Sequence, residues 1–168
     1  MSGTPPRPPT GADEDFFRRL KVLVVEDSAE MRRLLVALLE TMGVTRIVVA
    51  RDGEKGLAAF AAERPDIIVT DGAMTPMDGY EMTRAIRSSA GGDGANPEVP
   101  ILMISGHVGR AEVTHARDQG VTDYLAKPLS AETLYKAIVA AVSKPIHFVE
   151  RPGYRGPSPK RSLDAKRS

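Results

Sequence analysis

The chain has 168 residues, a net charge of +1 and an apolar fraction of 42%. This length suits one globular domain with tails and leaves little room for two full domains. The chain contains no cysteine, which excludes a disulfide framework and is typical of a reducing compartment. The sequence begins without an apolar secretory signal and has no apolar run long enough to span a membrane, so we expect a soluble, cytoplasmic protein.

The charges are distributed unevenly along the chain. Residues 144–168 carry a net charge of +5 and residues 1–19 are neutral, which leaves −4 for residues 20–143. We therefore predict a folded domain over 20–143 and a basic, proline-rich C-terminal tail over 144–168. We predict that residues 1–19 are a disordered, proline-rich segment.

A short helix near 13–20 is predicted inside the N-terminal segment, with Phe16, Phe17 and Leu20 docked on the domain. From residue 22 onward, short apolar runs alternate with helical patterns. Strands are predicted at 22–25, 47–50, 66–70, 101–104 and 122–125. Helices are predicted after the cap at Ser28 and up to Gly43, between Asp52-Gly53 and Pro65, and near 80–88, 109–119 and 130–143.

The buried faces of these helices follow from apolar residues at helical spacing. The predicted core residues are Met31, Leu34, Leu35, Leu38, Leu39 and Met42, then Leu57, Phe60 and Ala61, then Met82, Ala85 and Ile86, and finally Leu134, Ile138 and Val142. Residues 90–98 are rich in glycine and are predicted to form a long mobile loop.

Five strands alternating with five helices indicate an α/β fold, a doubly wound parallel sheet covered on both faces. Right-handed crossovers place the carboxyl ends of all strands at one edge. Another open α/β domain, such as a flavodoxin-like electron carrier, would give the same pattern. The residues at that edge must therefore decide the function.

Polar residues follow four of the predicted strands. Glu26-Asp27 follows the first strand, Asp71 the third, Ser105 the fourth and Lys127-Pro128 the fifth. Neighbouring strands lie about 5 Å apart, so the acids converge if the first and third strands are neighbours. Crowded carboxylates need a counter-charge, and oxygen ligands of this kind suit Mg²⁺. Lys127 supplies a second cation.

This set, together with Tyr124 and Met77-Asp78-Gly79, resembles the receiver domains of two-component response regulators, of the chemotaxis-regulator type. The resemblance covers roughly residues 20–143. It implies a flavodoxin-like three-layer sandwich with strand order 2-1-3-4-5. It also implies that Asp71 accepts a phosphoryl group from a phosphohistidine.

The resemblance further assigns roles around Asp71. Mg²⁺ would be held by Asp27, Asp71 and the backbone carbonyl of Ala73, with Glu26 helping through a water, and Lys127 would neutralise phosphoryl oxygens. Ser105 would donate a hydrogen bond to the phosphoryl group and let Tyr124 turn from solvent toward the core. This switch would reshape a face formed by residues 109–143. The Lys127-Pro128 bond is expected to be cis.

Three positions depart from the family pattern. Proline usually comes four residues after the acceptor, but here Thr75 holds that place and Pro76 follows, which predicts a different loop path. The Ala73 side chain is too small to reach a phosphoryl group. We hypothesise that His107, two residues beyond Ser105, influences hydrolysis of the acyl phosphate; an exposed histidine without a role is the alternative.

The predicted function is that of a stand-alone response regulator rather than an enzyme. Its partners would be a sensor histidine kinase or histidine phosphotransfer protein and a downstream protein, with phosphorylation-dependent dimerisation left open. The alternatives are a phosphorelay intermediate, or a Mg²⁺-dependent phosphatase with an aspartate nucleophile. That phosphatase class requires a second acidic residue two positions after its nucleophile, and this chain has Ala73 at that position.

The basic tail contains two aromatic residues, Phe148 and Tyr154. It vaguely resembles aromatic-Gly-Pro tails with trailing arginines that follow some bacterial receivers. The tail could dock a protein partner or pack back on its own domain. Nucleic-acid binding is disfavoured, because the chain offers scattered Lys and Arg without an aromatic platform or a recognition helix.

Overall fold

The computed structural model describes residues 11–89, 95–106, 109–143 and 148–158. The helices in these ranges are α1 (Gly11–Arg19), α2 (Ala29–Met42), α3 (Gly53–Glu63), α4 (Gly79–Ser88), α5 (Arg110–Gln119) and α6 (Ala131–Ser143). The strands are β1 (Lys21–Val25), β2 (Arg46–Ala50), β3 (Ile67–Asp71), β4 (Ile101–Ser105), β5 (Asp123–Ala126), β6 (Phe148–Arg151) and β7 (Tyr154–Pro157). Within the described ranges, every helix is too short or too polar to cross a membrane.

Strands β1 to β5 form one parallel sheet in the order β2-β1-β3-β4-β5, which confirms the predicted fold class and strand order. The central strands β1, β3 and β4 are buried along almost their whole length, as their continuous apolar sequences predict. Asp71 is paired with Ile104, and Ser105 is paired with Ala126. The carboxyl ends of these strands therefore lie side by side at one edge of the sheet.

Helices α1, α2 and α6 cover one face of the sheet. The side chain of Phe17 on α1 is fully buried, and its ring centroid lies 5.3 Å from that of Tyr135 on α6. Leu20 is also buried and Phe16 packs against the same cluster, so the predicted docking of this segment is confirmed. The described residues therefore include the short N-terminal helix predicted near 13–20, packed on the sheet, in addition to the five helices of the alternating pattern.

Helices α3, α4 and α5 cover the other face, where Leu23, Ile68 and Met103 of the sheet are fully buried. Two predicted core residues are wrong. Leu34 is 45% exposed, because α2 buries the narrower stripe of Leu35, Leu39 and Met42. Ala61 on α3 is also exposed, because α3 packs on the sheet through a different face.

Helix α3 approaches the sheet through a glycine. A Cβ at Gly56 would lie 2.7 Å from Sδ of Met82 and 2.9 Å from a methyl carbon of Val25. The buried face of α3 therefore runs through Gly56 and Phe60, which leaves Ala61 toward solvent. Apolar periodicity does not detect a buried glycine, and this explains the error.

The segment before β4 is partly packed against the domain. Ala95 is 7% exposed, and the side-chain carbonyl of Asn96 accepts a hydrogen bond of 3.0 Å from the Glu98 N–H. Residues 95–98 contain a turn and no helix or strand, so this part of the predicted loop is confirmed as a loop, with Ala95 buried. Its remaining residues, 90–94, lie outside the described ranges.

Residues 148–158 form a hairpin in the region predicted as a tail. β6 and β7 pair antiparallel, with Phe148 opposite Pro157. The turn contains Gly153, whose φ of 79° favours glycine. β7 contacts both α4 and α5, so this segment packs back on its own domain, which is one of the two arrangements left open above. Residues 144–147 and 159–168 lie outside the described ranges.

Arg87, in the last turn of α4, joins the hairpin to the domain. Its side chain is 2% exposed. Nε donates to the carbonyl of Gly120 at 2.9 Å, and Nη1 donates to those of Pro97 at 2.9 Å and Val99 at 2.6 Å. The guanidinium lies 5.0 Å from the ring centroid of Phe148 on β6. Burial lowers the pKa of this guanidinium, and these carbonyls and the aromatic ring offset the loss of hydration.

We predict that Arg87→Ala lowers the free energy of unfolding by at least about 3 kcal/mol, because it leaves several buried carbonyls without a donor. The matched control is Arg84→Ala, one turn earlier on α4, whose side chain bonds Gln119 in an exposed position. The control should change stability by less than about 1 kcal/mol. Urea denaturation of both variants checks this, and equal losses would show that Arg87 is not an anchor.

Candidate active site

Three carboxylates meet at the carboxyl ends of β1 and β3. Glu26, Asp27 and Asp71 each place one oxygen within 4.8 Å of those of the other two. This confirms that the acids following the first and third strands converge. Asp71 is 8% exposed at the end of β3, and Asp27 is exposed.

Glu26 is the buried member of the group, with 1% of its surface exposed. Oε1 accepts a hydrogen bond of 3.2 Å from the Ser28 N–H, whereas Oε2 has no hydrogen-bond partner. Burial, and next the negative charge of Asp71, raise the pKa of Glu26 from 4.5 to about 7. A buried carboxylate oxygen without a donor is costly unless a cation or a proton compensates it.

Lys127 supplies positive charge from the other side of Asp71. Its Nζ lies 3.6 Å from Oδ2 of Asp71, and both side chains are mostly shielded from solvent. The Lys127 backbone N–H donates to the Ser105 carbonyl at 2.8 Å, which fixes the start of the loop after β5. The peptide bond to Pro128 is cis, as expected.

The loop after Asp71 is held by close backbone contacts. Gly79 donates its N–H to the Gly72 carbonyl at 3.0 Å, and a Cβ at Gly79 would collide with the carbonyl oxygen of Asp71. Asp78 caps α4 by accepting from the Glu81 N–H at 2.8 Å. The sequence Asp78-Gly79 therefore starts a helix directly beneath the end of β3.

The unusual part of this loop has a second cis bond, between Thr75 and Pro76. Ala73 donates its N–H to Oδ1 of Asp71 at 3.4 Å, and its side chain is exposed. The role of its carbonyl as a metal ligand stays a prediction.

The predicted switch residues lie one strand further along the same edge. Ser105 ends β4 and is half-buried, and Tyr124 on β5 is half-buried too. The hydroxyl of Tyr124 lies 3.5 Å from that of Tyr80 on α4. His107, predicted to tune hydrolysis, lies outside the described residues.

Two residues at this edge were not predicted. Arg32 on α2 donates from Nη1 to the backbone carbonyls of Glu26 at 2.9 Å and Asp27 at 3.2 Å, so it holds the β1–α2 loop in place. Tyr80 contacts Tyr124, and burial raises the pKa of its hydroxyl. Arg32 could have been identified from its position one turn into a helix that follows two acids. No comparable sequence pattern pointed to Tyr80.

The residues present fit a magnesium ion. The donor set is all oxygen, as Mg²⁺ prefers. The orphaned Oε2 of Glu26 adds an independent sign that the site is built for a cation. Glu26, Asp27 and Asp71 are therefore the residues that could hold the ion.

Comparisons with known proteins agree with this geometry. Residues 22–139 match the response regulator receiver domain. The chain is 33% identical over 119 residues to the chemotaxis protein CheY of Pseudomonas aeruginosa, covering 71% of this chain and 93% of that protein. It is also 33% identical over 132 residues to the probable transcriptional regulator ycf27 of Guillardia theta, covering 79% of this chain and 49% of the regulator.

The solved structures that resemble this chain include receiver domains and chemotaxis response regulators. The receiver domain of the sensor histidine kinase PA1611 from Pseudomonas aeruginosa, whose structure has a magnesium ion coordinated in its active-site cleft, is 26% identical with a TM-score of 0.67. That match covers 74% of this chain and 98% of the receiver domain. The chemotaxis response regulator CheY4 of Vibrio cholerae is 30% identical with a TM-score of 0.66, covering 73% and 98%. The fold, the residues at the sheet edge and the similar proteins all indicate the same family. The chain therefore belongs to the response regulator receiver domain family of two-component signalling.

Proposed function

We propose that this chain accepts a phosphoryl group on Asp71 from the phosphohistidine of a sensor histidine kinase or a histidine phosphotransfer protein. The reaction depends on Mg²⁺, and it controls the binding of a downstream protein through the face formed by residues 109–143. The observation that carries this proposal is the position of Asp71, whose carboxylate lies between the acids of β1 and the ammonium of Lys127.

Asp71 acts as the nucleophile. One of its carboxylate oxygens bonds to phosphorus as the bond from phosphorus to the donor imidazole breaks, and the imidazole leaves with its electron pair. Such a transfer requires positioning and charge neutralisation more than covalent chemistry from the protein. At 3.6 Å from Oδ2, Lys127 is placed to neutralise phosphoryl oxygens.

In this proposal, the carboxylates of Asp27 and Asp71 and the carbonyl of Ala73 would hold Mg²⁺, with Glu26 helping through a water. The ion supplies positive charge to the phosphoryl oxygens when it is bound. Arg32 keeps the backbone of Glu26 and Asp27 fixed through their carbonyls. Asp27 is exposed, so its carboxylate is accessible to an ion that arrives from solvent.

Ser105 and Tyr124 transmit the change. In this proposal the Ser105 hydroxyl donates to the new phosphoryl group, and its strand end moves toward Asp71. Because the Ser105 carbonyl accepts from the Lys127 N–H, the loops after β4 and β5 move together. Tyr124 then turns toward the core and changes the surface of β5 and its neighbouring helices.

We predict that acetyl phosphate with Mg²⁺ adds one phosphate to the wild-type chain, detected by intact mass, and none to Asp71→Asn. Lys127→Ala should lower the rate by about tenfold or more, because it removes the fixed cation beside the acceptor.

The matched control is Asp15→Asn, which removes an exposed carboxylate on α1 and should be phosphorylated like the wild type. A phosphate that persists in Asp71→Asn, or that forms equally in excess EDTA, would contradict the proposal. Turnover of many phosphoesters would indicate a phosphatase instead.

A second prediction uses the raised pKa of Glu26. In the metal-free protein this pKa is raised from 4.5 to about 7, so between these pH values the folded state binds more protons than the unfolded state. Stability must therefore fall as pH rises through this window, by roughly 1–3 kcal/mol from this group. Mg²⁺ binds the ionised carboxylate, and we expect added Mg²⁺ to restore stability at pH 8.

Urea denaturation at pH 5 and pH 8, with EDTA or with Mg²⁺, measures this effect. Glu26→Gln should lose most of the fall in stability and respond less to Mg²⁺. Glu40→Gln, an exposed change on α2, should behave like the wild type. An unchanged pH dependence in Glu26→Gln, or no stabilisation of the wild type by Mg²⁺ at pH 8, would refute the account.

A further inference from the structure

Tyr80 lies against the backbone that directly follows the phosphoacceptor. It is in the first turn of α4 and is half-buried. A Cβ placed on Gly72 would be 3.1 Å from Cε2 of Tyr80 and 3.3 Å from its hydroxyl oxygen. The ring of Tyr80 therefore occupies the space that a side chain after Asp71 would fill.

The same side chain contacts two further elements. Its hydroxyl lies 3.5 Å from that of Tyr124 on β5. Its ring centroid lies 4.6 Å from that of His115 on α5, at an interplanar angle of 47°. Met103 of β4 is buried in the same cluster. One residue thus contacts the acceptor loop, the predicted switch tyrosine and a helix of the proposed binding face.

We propose that Tyr80 is a positioning residue that couples the state of Asp71 to Tyr124 and to α5. This inference rests on the proposed function and adds to it a second tyrosine. The hydroxyl contact holds Tyr124 in its resting, half-buried position, while Gly72 and His115 hold the ring of Tyr80 from its two sides.

In this proposal, the contact between the hydroxyls of Tyr80 and Tyr124 belongs to the resting state. A turn of Tyr124 toward the core breaks the contact with Tyr80, so this contact favours the resting state. A movement of the loop at Gly72 on phosphorylation shifts the Tyr80 ring and weakens the same contact. Both events act in the same direction, and the ring of Tyr80 passes the shift to the His115 ring that it contacts on α5.

The test is fluorine NMR of the full chain labelled with 3-fluorotyrosine. The chain has four tyrosines, at positions 80, 124, 135 and 154, so four signals are assigned by single Tyr→Phe changes. Broadening of each signal by a neutral gadolinium chelate reports how exposed the ring is. Spectra are taken before and after acetyl phosphate and Mg²⁺, and intact mass gives the phosphorylated fraction.

In Tyr80→Phe, we expect the Tyr124 signal to move toward its phosphorylated position before any donor is added. Loss of one neutral hydrogen bond should change the population ratio by about two- to tenfold, with phosphorylation itself retained. His115→Ala removes an exposed ring that contacts Tyr80 and leaves both tyrosine hydroxyls in place, and should move the signal in the same direction. Tyr135→Phe, on the opposite face of the sheet, is the matched control.

The inference is overturned if the shift and the broadening of Tyr124 in both variants equal those of Tyr135→Phe, or if Tyr124 moves away from its phosphorylated position. A wild-type chain that takes up no phosphate would instead refute the proposed function. The comparison of the unphosphorylated variants would then still decide whether Tyr80 holds Tyr124.

Discussion

Electrostatic repulsion among three carboxylates at one edge of a parallel sheet is the constraint around which the structure is arranged. The sheet order puts the ends of β1 and β3 side by side, so the carboxylates of Glu26, Asp27 and Asp71 lie close together. One ammonium, that of Lys127, offsets part of this negative charge. Burial, and next the negative charge of Asp71, raise the pKa of Glu26, and its Oε2 has no hydrogen-bond partner. The edge is therefore prepared for further positive charge, which is what phosphoryl transfer requires.

Helix α4 connects this edge to the opposite end of the domain. Its first turn contains Tyr80 beside the acceptor loop, and its last turn contains Arg87 beneath the C-terminal hairpin. Its ten residues span about 15 Å. Because Arg87 donates hydrogen bonds to buried carbonyls, the end of α4 farther from Asp71 is held firmly.

The sheet and the strand-end residues could be predicted because apolar runs and acids next to them are local signals. Other features depend on tertiary contacts. Ala61 was placed wrongly because the buried side of α3 is set by Gly56. The hairpin was missed because its sequence reads as charged, proline-rich chain, and its packing relies on Arg87, a residue type that is usually exposed. Glu26 is buried and Asp27 is exposed at the site. This difference follows from tertiary packing and cannot be predicted from two adjacent acids in the sequence.

The central claim is that the carboxylate at the end of β3 is the phosphoacceptor and that its neighbours make it so. The most direct measurement is to reduce the phosphorylated chain with borohydride, which converts an aspartyl phosphate into homoserine, and to map the changed residue by peptide mass spectrometry. We predict that the change is found at Asp71 alone and only when Mg²⁺ was present. A change at another residue, or an equal change at Asp71 without Mg²⁺, would contradict the account.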